Sequence, residues 1–230
     1  MCEILAVHWP SPRPFRDLLP WAKKIEHYGI GRFGWGFAWL DGGLVGCHRF
    51  PGRMSEDPAL ETDLVAVRST QFLVHFRRPN KLSTVHLADT HPFSDEACRF
   101  AFCHNGTFDR EPDFRPRYAS RLRGKADSEV GFRMLEDLLA EGRAPGDAVL
   151  ELHALLGGRA NIGFLSARGE LLVFNAYPQN QMWRFRCRDA EMACTQLHSA
   201  DDSLFTLIFT GATHRRAVSG VAPVAVGVGL

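Results

Sequence analysis

The stretch CEILAVH, residues 2–8, decides how the rest of the chain is read. Residues 3–8 form an apolar run of strand length, and Pro10, Pro12 and Pro14 are expected to end it because proline withholds a backbone donor. A strand that begins at the third residue fixes what precedes it, and what precedes it is Cys2. Removal of Met1, expected before a small residue, would leave the Cys2 α-amine beside its own thiol. An α-amine titrates near pH ~8 and a free thiol near ~8.5, so the amine can take the thiol proton directly or through a water. One residue then supplies nucleophile and base. The plainer alternative is an incidental buried thiol.

Working outward, residues 15–28 read as a helix whose first turns contain Pro20, and Asp57 to Ser69 as another. Gly34–Leu40 and Leu44–Cys47 read as a hairpin through Asp41-Gly42-Gly43. FLVHF at 72–76 and Phe100–Cys103 read as buried strands, the second running into His104-Asn105-Gly106. The proline- and arginine-rich stretch 109–125 suggests an exposed loop with room for a short helix. Val130, Met134, Leu135, Leu138 and Leu139 mark an amphipathic helix starting at Asp127, whose carboxylate can cap the first turn, and a shorter helix is expected over 147–156. Residues 161–165, 171–175, 183–188, 192–197, 204–209 and 224–228 are strand candidates, with Trp183, Phe185 and Cys187 alternating against three arginines. Strands, then helices, then strands again, joined by hairpins, imply an α+β fold with mainly antiparallel sheet in a single domain spanning 1–230.

An amide attacked by a thiolate develops an oxyanion, and the Asn105 side-chain amide with the Gly106 N–H can donate to it. On its own Asn-Gly is as readily a turn. Arg77, ending FLVHF, and Asp127, at a helix start, complement the α-carboxylate and α-ammonium of an amino acid; on their own they read as a strand-end charge and a cap. His91 and His104 are expected to shape the pocket through hydrogen bonds, and Trp35 to close an apolar side of it or to join the core. Cys47-His48 and Cys103-His104 do not make a four-ligand zinc pattern.

Taken together, Cys2, Gly34-Trp35-Gly36, His75-Phe76-Arg77, Thr90-His91-Pro92-Phe93, His104-Asn105-Gly106 and Asp127-Ser128-Glu129 resemble the class II glutamine amidotransferases, the N-terminal-nucleophile glutaminase domains, and most of all their short stand-alone members. The resemblance implies a four-layer αββα sandwich, Cys2 as nucleophile, Asn105 and Gly106 as oxyanion hole, and Arg77 with Asp127 as glutamine clamps. Where the family commonly has a small residue and Thr after its arginine, this chain has Pro79 and Asn80, and Asn80 keeps a hydrogen-bonding side chain on the substrate loop. Phe33 replaces the family's usual acidic residue before Gly-Trp-Gly.

The substrate expected from this is glutamine or another γ-glutamyl small molecule, with no cofactor and no metal. An acceptor-synthase protein partner would be needed if ammonia is transferred. Lys+Arg 27 against Asp+Glu 26 leaves a net charge of +1, which disfavours nucleic-acid binding by long-range attraction. No apolar run is long enough for a membrane span, the N-terminal run lacks the flanks of a signal peptide, and the six cysteines contain no C-x-x-C pair, so a cytoplasmic location is expected. The competing reading is a non-catalytic amino-acid-binding or regulatory module on the same fold.

Overall fold

The computed structural model describes residues 2–197 and 202–228. Met1, whose removal the sequence reading invokes, lies outside them. Strand β1 (Glu3–Pro14) is the middle of a seven-stranded antiparallel sheet, with β4 (Arg68–Phe76) on one side and β10 (Ala190–Thr195) on the other. Beyond β4 lie β2 (Trp35–Asp41) and β3 (Leu44–Phe50); beyond β10 lie β9 (Met182–Cys187) and β11 (Thr213–Ala217). A five-stranded antiparallel sheet follows the order β12 (Val224–Ala225), β8 (Leu171–Ala176), β7 (Arg159–Ser166), β6 (Phe100–Thr107) and β5 (Phe93–Ser94). Helices α1 (Leu19–Tyr28) and α5 (Asp202–Ile208) cover the first sheet. Helices α2 (Glu111–Tyr118), α3 (Asp127–Ala140) and α4 (Pro145–Leu156) cover the second.

Strand alternation builds the four layers, because successive side chains leave opposite faces of a sheet. On β1, Leu5 and Val7 enter the core beneath the first helix layer, while Ile4 and Ala6 enter the core between the sheets. Strand β4 divides likewise, with Phe72, Val74 and Phe76 toward the helices and Leu73 between the sheets. On β6, Phe100 and Phe102 face α3 and α4, and Ala101 and Cys103 face the other sheet. Both sheets thus send an apolar row into a shared middle layer, and the αββα arrangement expected above is what forms.

Several boundaries differ from the sequence reading. The prolines do not end β1: after a register shift between His8 and Arg13, pairing resumes with Arg13 opposite Ser69. Pairing to β10 stops at His8, so this part of the strand has β4 alone as partner, where proline is tolerated. Residues 58–66 form turns and a short 3₁₀ segment in place of an α-helix, and 68–69 already belong to β4; the Asp57 side chain accepts hydrogen bonds from Trp35 Nε1 and the Ala59 N–H, both at 3.0 Å. The candidate strand 204–209 lies in helix α5 up to Ile208; Phe205, Ile208 and the Phe209 that follows the helix pack on Phe185 or the same core, at helical spacing. The hairpin closes through Gly42-Gly43, with Asp41 opposite Leu44. No helix among the described residues is long and apolar enough to cross a membrane.

Candidate active site

Cys2, His75 and Asn105 come together because β1, β4 and β6 end at the same edge of the sandwich, with each residue one step further along the row that faces the middle layer. The half-buried Cys2 thiol is held by the backbone of Arg78: the Arg78 N–H donates to Sγ at 3.1 Å and the thiol donates to the Arg78 carbonyl at 3.3 Å. Burial pushes the thiol up to about 11, against the pull of the Arg78 N–H. At neutral pH the resting group is therefore a thiol, and any attack by it needs a base within reach.

Asn105 and Gly106 lie inside β6 and not in a turn, with Gly106 paired to Ala160. Gly106 has φ +137°, and a Cβ there would stand 1.8 Å from the Arg159 carbonyl oxygen, so no other residue fits this bend beside the cleft. The Asn105 amide nitrogen donates to the Cys2 carbonyl at 2.6 Å, and its oxygen is bonded to His75 Nε2 at 2.9 Å. A carbonyl oxygen only accepts, which fixes the nitrogen of Asn105 on the Cys2 side.

Arg77 and Asp127 line the same cleft of about 110 Å³, together with Cys2, Asn80, His91 and Gly106. Arg77 is 4% exposed; its Nη2 donates to Thr84 Oγ1 at 2.8 Å, while Nη1 is buried and bonded to nothing among the described residues. A buried guanidinium nitrogen in that state is a vacant donor for an anion. The Asp127 carboxylate accepts the Phe108 N–H and the Ser128 N–H, both at 2.9 Å, so it faces the cleft from the first turn of α3 on a fixed backbone. His91 is buried with neither ring nitrogen hydrogen-bonded among the described residues, and its pKa lies well below the ordinary value, first because of burial and then because of His75 and Arg77. His104 Nδ1 meets Ser128 Oγ at 2.9 Å, and burial holds it neutral-leaning as well. Both histidines line the cleft, but only His104 does so with a hydrogen bond; among the described residues His91 makes none of those expected of it.

Trp35 does not close the cleft. Alternation on β2 turns it into the helix-facing core, fully buried beside Phe15 and Phe37, while Gly36 faces the middle. A Cβ at Gly36 would lie 2.5 Å from the carbonyl oxygens of His48 and His91, which is why small residues flank the tryptophan and how this motif supports the Thr90–Phe93 stretch.

Glu3 was not singled out in the sequence, where it reads as one more residue of an apolar strand. Its carboxylate is 2% exposed and accepts the N–H groups of Ile30 and Gly31, both at 3.0 Å, tying the strand that follows Cys2 to the loop that leads into β2. Burial raises its pKa from 4.5 to about 7, with the two N–H bonds opposing. Since the folded value exceeds the unfolded one, this contribution to stability is present below about pH 4.5 and is lost as pH rises through about 7. The full difference is worth about 3 kcal/mol. Thermal unfolding followed across that window should show the wild type losing stability, and Glu3→Gln should lose distinctly less; equal slopes would refute the assignment.

A family model described as glutamine amidotransferases class-II matches residues 1–225. Among solved structures, the chain is similar to glutamine phosphoribosylpyrophosphate amidotransferase from B. subtilis, complexed with ADP and GMP, at 16% identity and TM-score 0.70, covering 95% of this chain and 45% of that one. It therefore spans about half the length of that enzyme. It is also similar to a glutamine aminotransferase class-II domain protein from Silicibacter pomeroyi (22% identity, TM-score 0.60, 84% of this chain and 88% of that one). A predicted glutamine amidotransferase from Pseudomonas aeruginosa PA01 aligns over 98% of this chain and 97% of its own at 19% identity and TM-score 0.57. Comparison with curated proteins gave no match.

Proposed function

The chain belongs to the class-II glutamine amidotransferases, and from that membership we propose that it cleaves a γ-glutamyl amide, glutamine or a larger conjugate, through a thioester on Cys2. The observation that carries this reading is the convergence of Cys2, Arg77, Gly106 and Asp127 on one cleft, with the Arg77 Nη1 donor unused.

In this reaction the α-carboxylate of the γ-glutamyl group pairs with Arg77 and its α-ammonium with Asp127, in the cleft that Asn80 also lines. With Met1 removed, the Cys2 α-amine takes the thiol proton as sulfur attacks the side-chain carbonyl carbon. The Gly106 N–H and the second N–H of the Asn105 amide stabilise the oxyanion. When the C–N bond breaks, the ammonium formed on Cys2 returns its proton to the leaving nitrogen, which departs as ammonia or an amine. Water then attacks the thioester, giving the γ-carboxylate and restoring the thiol. None of these steps draws on a cofactor. Transfer of the ammonia would require an acceptor enzyme as a partner; simple release would not.

Incubation with a panel of γ-glutamyl compounds, scored by mass spectrometry and ammonia release, tests the substrate class. Glutamine should be preferred over asparagine, because one missing methylene moves the carbonyl away from both Cys2 and the oxyanion donors. Turnover of amides that lack a free α-amine, with γ-glutamyl compounds inert, would refute the reading.

A further inference from the structure

We propose that His75 is the positioning residue of the oxyanion hole: its Nε2–H holds the Asn105 side-chain oxygen and so keeps the amide nitrogen turned toward the reacting centre. The inference rests on the oxyanion reading of Asn105. His75 is completely buried in the middle of the sandwich, on the strand that also carries Arg77, and its Nε2 lies 2.9 Å from Asn105 Oδ1. Two constraints agree on the direction of this bond. The Cys2 carbonyl fixes the Asn105 nitrogen on its own side, which leaves oxygen toward His75, and oxygen requires a donor. The histidine must therefore carry its proton on Nε2, and its Nδ1, buried and unbonded among the described residues, is the deprotonated nitrogen.

An amide is nearly symmetric in shape, so packing alone distinguishes its two orientations poorly. Were the Asn105 side chain to flip, it would present oxygen to a developing oxyanion and repel it. The His75 ring is held in place by the His91 ring, with centroids 4.4 Å apart. Burial and the neighbouring Arg77 charge lower the His75 pKa to about 3, so it stays neutral with one proton throughout the working range. The contact is a fixed donor and not a proton relay.

Steady-state kinetics on His75→Leu, His75→Gln, His75→Asn, Asn105→Ala and the His75→Leu/Asn105→Ala double variant test this. The terminal amide of glutamine reaches about as far as Nε2, and that of asparagine stops short. His75→Leu should lower kcat about 10- to 100-fold with KM within about twofold, because the contact acts on the transition state. His75→Gln should recover most of the loss and His75→Asn little of it, a comparison that stands even if the leucine variant does not fold. In the Asn105→Ala background His75→Leu should cost almost nothing more. A collapsed Asn105→Ala beside a folded His75→Leu with wild-type kcat, additive losses, or equal Gln and Asn variants would overturn the positioning role. Wild-type kcat in Asn105→Ala would instead remove the oxyanion reading, and the role of His75 with it.

Discussion

Cys2→Ala protein should fold as the wild type does and lose turnover of γ-glutamyl amides by at least about 10⁴-fold, the largest effect expected of any single change. The thiol is half-buried and, among the described residues, bonded only to the Arg78 backbone, so its removal leaves no buried charge and only a small void. Its chemistry has no substitute. Cys103 and Cys194 are buried with thiols raised still further by desolvation, and Cys47, mid-strand in β3 opposite Ala38, is held up to about 11 by burial. Circular dichroism and thermal unfolding check the fold, and an ammonia-release assay at saturating substrate checks the loss. Activity within about tenfold of wild type in the variant would remove Cys2 from the chemistry.

Asp127→Asn is expected to reduce kcat/KM by about 10- to 100-fold, since a charge-assisted hydrogen bond is worth roughly 1.5–3 kcal/mol. The loss should be the same for glutamine and for larger γ-glutamyl amides, because both present the same α-ammonium to this carboxylate. Asparagine at this position can still accept one of the two N–H bonds now made from Phe108 and Ser128. Stability should therefore fall by only about 1 kcal/mol, and the melting curve separates that from the kinetic effect. Unchanged kcat/KM, or a loss confined to one substrate, would contradict the clamp.

The strands that carry the site were legible because apolar runs of strand length and family motifs point to the same residues. CEILAVH, FLVHF and the run into His104-Asn105-Gly106 are each a short apolar stretch that ends on a motif residue. What the sequence could not convey is what two stacked sheets do to residues far apart in the chain. His75 and Asn105 are thirty positions apart and meet only because β4 and β6 face one another across the middle layer. Trp35 shows the same limit from the other side: its motif places it near the cleft, yet one step of the pleat turns it into the helix-facing core. Leu204–Phe209 is apolar enough to suit a strand or a helix equally by composition, and the packing of Phe205 and Phe209 against Phe185 goes with helix α5 over Asp202–Ile208. Glu3 was passed over since a lone carboxylate in an apolar strand reads as an interruption until its two backbone partners are seen.

Treating active protein with a diazoketone analogue of glutamine and sequencing its peptides by mass spectrometry tests directly whether the Cys2 thiol, freed with its α-amine by loss of Met1, attacks the γ-glutamyl carbonyl. One adduct per chain is expected, on the sulfur of a peptide that begins at Cys2, appearing in step with loss of activity. Retained Met1 in active protein, or stoichiometric labelling of another cysteine with Cys2 untouched, would contradict it.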